Sequence, residues 1–208
     1  MNDKNLIIRM FPSLGYFNLA NLMTVLTIVL NILIIILAMR GETRLAFWLY
    51  IFVIGIDVFD GKIAGLLKCR SEFGARLDSI CDGVSFCFMP AIIAFLMGFT
   101  GTAAIILVII NAVAGVWRLA YFDVKGLIKD GSHEYYIGSP TTRNAAIFFI
   151  VITVGGLFRN QLNILFTIFF AISPILMLMN IRIEKNGIFA KVLYAVVPVC
   201  GVAYLFIW

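Results

Sequence analysis

Gly83 to Trp117 carries no charged residue along its whole length. A membrane helix needs roughly 20 residues to cross the hydrocarbon core, so this run is too long for one crossing. Gly98-Phe-Thr-Gly101 marks a turn inside it, and the run reads as two spans. Leu19–Met39 is uncharged and long enough to make another. Leu45–Ile56 is short and completes a span only by running on through Asp57 and Asp60. Asn144–Phe158, Asn160–Ile181 and Val192–Trp208 make three more, with Pro174 as a kink that membrane helices tolerate. The expected fold is all-α, a polytopic membrane helix bundle of about seven transmembrane helices forming a single domain over 1–208. Only 13% of the residues are charged, against roughly 25% in a soluble domain.

The basic residues support this count. All 16 except Arg40, Arg44 and Arg159 fall on one side if seven helices alternate. The positive-inside rule makes that side cytoplasmic, with the N-terminus inside and Trp208 outside. The net charge of +5 is then a topology signal that also favours anionic lipid head groups, and it calls for no nucleic acid. Met1–Tyr16 lacks the apolar core of a cleavable signal. Within 1–18, Leu6, Ile7, Met10, Phe11 and Leu14 form one face of a short interfacial segment, against which Pro12 counts. Cys69, Cys81, Cys87 and Cys200 show no metal spacing and read as reduced structural thiols. His133, in the polar stretch Asp123–Thr142, reads as a loop residue with no ligand partner.

The chemistry is concentrated between Asp57 and Asp82. Asp57 and Asp60 share a face at the end of the second span. Asp78 and Asp82 share a face at the start of the third. These two helices run antiparallel, so the four carboxylates meet near the cytoplasmic boundary. Carboxylates that close repel unless protons or cations intervene, and charges at membrane depth are costly and usually functional. A hard divalent cation, or a bridged pair of them, answers both constraints and points to a phosphorylated substrate. Gly61, Ala64 and Gly74 leave a smooth floor beside the acids. Lys62, Lys68, Arg70 and Arg76 put positive charge nearby for phosphates. Gly61 and Gly65 also make a GxxxG, which often serves helix packing alone, and the basic residues also fit as topology markers. Asp57 and Asp60 alone suit a cation relay in an ion-coupled membrane transporter, although no internal repeat accompanies them.

These residues resemble the CDP-alcohol phosphotransferase family, whose pattern is D-x2-D-G-x2-A-R-x8-G-x3-D-x3-D. Asp57, Asp60, Gly61, Ala64, Gly74, Asp78 and Asp82 match it with every spacing kept. Gly65 stands where the family has arginine. Either Lys62 or Lys68 takes over its charge, or nucleotide affinity is reduced, or the chain is a divergent relative. The resemblance implies that Asp57, Asp60 and Asp78 hold Mg²⁺ or Mn²⁺ and the nucleotide diphosphate. Asp82 becomes the general base and a contact to a second metal. Gly61, Ala64 and Gly74 pack against cytidine, and Asn21 and Thr24 in the first span match a further family motif.

Ser71–Ala91, Trp117–Phe122 and Tyr136–Thr142 resemble the phosphatidylserine synthase branch. That branch implies CDP-diacylglycerol as donor, L-serine as acceptor, CMP as leaving group and a place in phospholipid biosynthesis. Inositol phosphate, glycerol phosphate and choline are the alternative acceptors. Arg118, a lone cation at the end of the fourth span, suits the serine carboxylate, although a snorkelling topology residue would look the same. Ser139 and Arg143 are weaker candidates. Family members are often dimers, so the resemblance also brings an expectation of a homodimer.

Overall fold

The structure is a computed structural model, and it describes residues 11–131, 133–158, 161–185 and 187–207. Seven long helices make up most of the described chain. They are α1 Leu19–Met39, α2 Thr43–Leu66, α3 Glu72–Leu96, α4 Thr102–Lys125, α5 Thr141–Leu157, α6 Leu162–Leu178 and α7 Ile188–Ile207. α1 packs along α2, α4 against α6, and α5 against α7. By length and composition, α1, α3 and α4 can cross a membrane, and α5, α6 and most of α7 are shorter apolar helices.

The surface is that of a membrane protein. Ile105, Ile106, Ile109, Ile110, Val113 and Val116 all face outward on α4, a continuous apolar face that a soluble domain does not carry. The interior is aromatic. Phe148 stacks on Phe166, and Phe99 stacks on Phe170. Tyr50 is fully buried and donates from its hydroxyl to the Ser85 carbonyl at 3.0 Å. Asn31 Nδ2 donates to Ser85 Oγ at 2.8 Å. These bonds brace the chain where α3 loosens into a π-helical section, Gly83–Phe88, a feature common at functional sites.

The helix starts follow from their caps. Asn18 accepts from Asn21 N at the start of α1, and Ser71 accepts from Gly74 N at the start of α3. α2 runs through both Asp57 and Asp60, and the turn between α3 and α4 falls at 97–101, as the sequence predicts. α3 begins at Glu72, well before the uncharged run.

A small sheet adds to the helical bundle. Ile128–Asp130 (β1), His133–Ile137 (β2) and Arg182–Glu184 (β3) pair antiparallel in the order β1-β2-β3. Tyr135 pairs with Ile128 on one side and Glu184 on the other. His133 is therefore a strand residue rather than a loop residue, and its Nδ1 lies 2.8 Å from Glu184 Oε1. Of the amino-terminal interfacial segment, Lys4, Leu6, Ile7, Arg9 and Met10 lie outside the described residues, as do Arg159, Asn160 and Trp208. Pro12–Tyr16 forms a 3-10 turn. The four cysteines are free.

The link from β2 to α5 turns at Gly138, whose φ is +70°. A Cβ there would collide with the Met177 carbonyl oxygen. Gly138→Ala is expected to destabilise the fold by about 1–3 kcal/mol, from the left-handed backbone and the clash together. Thermal unfolding in detergent reads this as a lowered midpoint.

Candidate active site

α1 packs against both α2 and α3, and the last turns of α2 and the first turns of α3 carry the acids. One carboxylate oxygen from each of Asp57, Asp78 and Asp82 lies within 4.8 Å of the other two. Asp57 is in hydrogen-bonding contact with Asp82 and with Thr142 from the start of α5. Asp60 lies beside this trio rather than within it. It is buried and accepts from Thr24 Oγ1 at 3.0 Å. The sequence places all four aspartates at one locus, while the geometry separates a cluster of three from one braced by α1.

Beside the acids opens a cavity of about 300 Å³. Asp60, Gly61, Ala64, Gly74 and Asp78 line it, with Asn21 and Thr24 from α1. The glycines are there for different reasons. Gly61 has nothing within 4 Å of where a Cβ would be and faces open space. At Gly74 a Cβ would lie 2.8 Å from Asn21 Oδ1, so glycine lets α3 approach α1. Asn21 Nδ2 also donates to the Tyr16 carbonyl at 2.8 Å, and the Tyr16 ring stacks on Phe73 at 4.5 Å. These contacts fasten the 3-10 turn next to the cavity.

Three of the basic residues singled out in the sequence, Lys62, Lys68 and Arg76, are not in this wall. Lys62 lies over the Phe59 ring at 5.3 Å. Arg76 is exposed, 3.8 Å from Glu72. The cavity takes its positive charge from Arg70 and Lys185 instead. Lys185 follows β3, and its Nζ lies 3.0 Å from Glu134 Oε2 on β2. That bond and charge hold the Glu134 carboxyl below its ordinary range. In the sequence Lys185 is only a topology charge, because the sheet that carries it to the cavity joins segments far apart in the chain.

Arg118 is buried on α4, with Nε and Nη2 lacking hydrogen-bond partners among the described residues. Its guanidinium lies 5.1 Å from the Phe122 ring and 5.5 Å from the Tyr136 ring. Burial pushes the Tyr136 phenol above its ordinary value, so it meets Arg118 as a neutral π face. Arg118 feels the charge of Asp82 and does not line this cavity. Arg143 is also buried, with Nε unpartnered among the described residues and Nη2 3.3 Å from the Glu184 carbonyl.

Three carboxylate oxygens at this spacing are the hard oxygen donors that Mg²⁺ and Mn²⁺ take. The residues fit such an ion. An apolar bundle with a carboxylate cluster suited to a divalent metal, beside a glycine-floored, cation-walled cavity, defines an integral membrane enzyme that acts on a phosphorylated substrate. Residues 17–183 match the family model described as CDP-alcohol phosphatidyltransferase, and the chain belongs to that family. It is a transferase, and the ion-coupled transporter is set aside. A CDP-diacylglycerol–serine O-phosphatidyltransferase of Mycobacterium bovis is 28% identical, covering 91% of this chain and 73% of the relative. One from Helicobacter pylori is 28% identical, over 78% of this chain and 70% of the relative. One from Saccharomyces cerevisiae is 38% identical, over 44% of this chain and 35% of the relative.

Proposed function

We propose that the protein transfers the phosphatidyl group of CDP-diacylglycerol to L-serine and releases CMP. The observation that carries this reading is the carboxylate trio of Asp57, Asp78 and Asp82 standing beside the glycine-floored cavity. The names of the relatives support the donor and the acceptor.

The donor's cytidine lies on Gly61, Ala64 and Gly74, with Asn21 and Thr24 closing the α1 side. Its diphosphate points toward Asp60 and Asp78, and its acyl chains remain in the lipid. Asp57, Asp60, Asp78 and Asp82 would hold a divalent ion, which would supply charge neutralisation for the diphosphate and for CMP as leaving group. Serine enters from the Arg118 side, where the unpartnered guanidinium takes its carboxylate. Asp82 accepts the hydroxyl proton. The serine oxygen bonds to the phosphorus that carries diacylglycerol, and the bond from that phosphorus to CMP breaks. Positioning and charge stabilisation supply most of the acceleration. Lys62 and Arg76, outside the cavity, act at the membrane surface. Seven crossings with the N-terminus inside put this site at the cytoplasmic face of a single domain.

A phosphorylated acceptor is the second reading, favoured by a separate cavity of about 440 Å³ lined by Ser139, Arg143 and Arg182. The test is CMP release by purified protein with CDP-diacylglycerol and Mg²⁺ or Mn²⁺, offering each alcohol in turn. Serine is expected to raise release at least about tenfold over the no-acceptor background. Release with inositol phosphate or glycerol phosphate and none with serine overturns the serine assignment and moves the acceptor to the second cavity. Release with choline alone overturns both.

A further inference from the structure

Position 65 is where this chain departs from the family pattern, and the structure brings another residue to that place. Arg70 lies in the short connection between α2 and α3, yet its side chain folds back onto α2. Its Nη2, Cζ and Nε lie 2.9, 3.4 and 3.5 Å from where a Cβ on Gly65 would stand. Nη2 also donates to the Gly61 carbonyl at 3.4 Å. Any side chain at 65 would have to displace this guanidinium.

The connection is built to hold it there. Lys68 N donates to Gly65 O at 3.2 Å and Cys69 N to Ala64 O at 3.1 Å. Lys68 adopts φ +52°. This pair of bonds around a left-handed residue is a Schellman-type ending, which reverses the chain at the end of a helix. One residue after Arg70, Ser71 caps α3. Arg70 is thus clamped between a helix end and a helix start, both defined by hydrogen bonds. Lys62 and Lys68 do not line the cavity, whereas Arg70 does, beside Asp60, Gly61, Gly74 and Asp78. No ion pair among the described residues engages Arg70.

We propose that Arg70 supplies from the α2–α3 turn the guanidinium that the family pattern carries at position 65, and that it binds the diphosphate of the nucleotide-lipid donor, with Gly65 as the space it needs. This rests on the donor reading above. A guanidinium offers paired donors matched to phosphate oxygens, which an ammonium does not.

The test uses the full chain in detergent with Mg²⁺ and two readouts, calorimetric binding of CDP and steady-state kinetics. Arg70→Ala is expected to weaken CDP binding and raise KM for CDP-diacylglycerol by about tenfold. KM for serine should hold, and Arg70→Lys should recover only part. Gly65→Ala is expected to raise the same KM several-fold in the wild-type background and to add nothing when combined with Arg70→Ala. Gly65→Arg combined with Arg70→Ala should restore CDP binding toward the wild-type value. CDP binding unchanged in Arg70→Ala overturns the proposal. So does a Gly65→Ala defect of equal size in both backgrounds, since that is a helix-packing effect. Wild-type protein that binds CDP through Arg70 but releases no CMP with any alcohol sustains this inference and sinks the transfer reading. Wild-type protein that binds no CDP sinks both.

Discussion

Asp82→Asn is expected to slow CMP release by about 10²–10⁴-fold, the range for losing a positioned general base. CDP binding should stay close to wild type. The two expectations separate because of where Asp82 sits. Asp60 and Asp78 line the cavity, and Asp82 and Asp57 do not. Asp82 lies one turn beyond Asp78 on α3, in hydrogen-bonding contact with Asp57 and within the electrostatic reach of buried Arg118. It therefore stands outside the cavity lining while remaining in reach of Arg118. Asparagine keeps the size and much of the hydrogen bonding but cannot accept a proton. Single-turnover CMP release and CDP calorimetry on the same preparation check this. Wild-type rates in Asp82→Asn would remove the base role. A matched loss of CDP binding and rate would make Asp82 a donor-side residue instead.

Much of this arrangement is legible in the sequence because it depends on local spacing. Leu19–Met39 is bounded by the charge-free run itself, and α1 has those ends. Asp57, Asp60, Gly61 and Ala64 fall on one helix face by their intervals, and Gly74 and Asp78, a short connection later, line the same cavity as Asp60, Gly61 and Ala64. Residues that reach the site through tertiary packing are not legible in this way. Lys185 arrives on β3, which pairs with β2 from a segment far earlier in the chain. Short strands of mixed polarity leave no period to detect. Thr142 reaches Asp57 only because α5 starts against α2. Arg70 is among the nearby cations by sequence, yet its selection over Lys62 and Lys68 depends on a left-handed turn at a lysine, which composition does not announce. Lys62 and Arg76 show the converse, since closeness in sequence to the aspartates leaves them on outward helix faces.

Stripping divalent cations with a chelator is expected to abolish CMP release and to lower the thermal midpoint, both reversed by Mg²⁺ or Mn²⁺. The cause is electrostatic. Carboxylate oxygens of Asp57, Asp78 and Asp82 lie within 4.8 Å of one another. Two full charges at that spacing repel by at least about 3 kcal/mol in an effective dielectric of about 20. Asp60 is close by and hydrogen-bonded to Thr24 rather than to a base. Arg118 is a buried cation whose charge reaches Asp82 of the trio. Folding that brings the trio together without a counter-ion works against this repulsion, and a bound divalent ion reverses its sign. A ligand present at about 100 times its Kd stabilises the folded state by about 2.7 kcal/mol, so the midpoint should rise with metal concentration and then flatten toward a slow logarithmic climb. Asp57→Asn removes one charge from the trio. It should therefore weaken the metal dependence of the midpoint while leaving the metal-free protein no less stable. Release that persists at full rate in chelator, together with a midpoint indifferent to metal, would make the trio a proton-sharing cluster rather than a cation site.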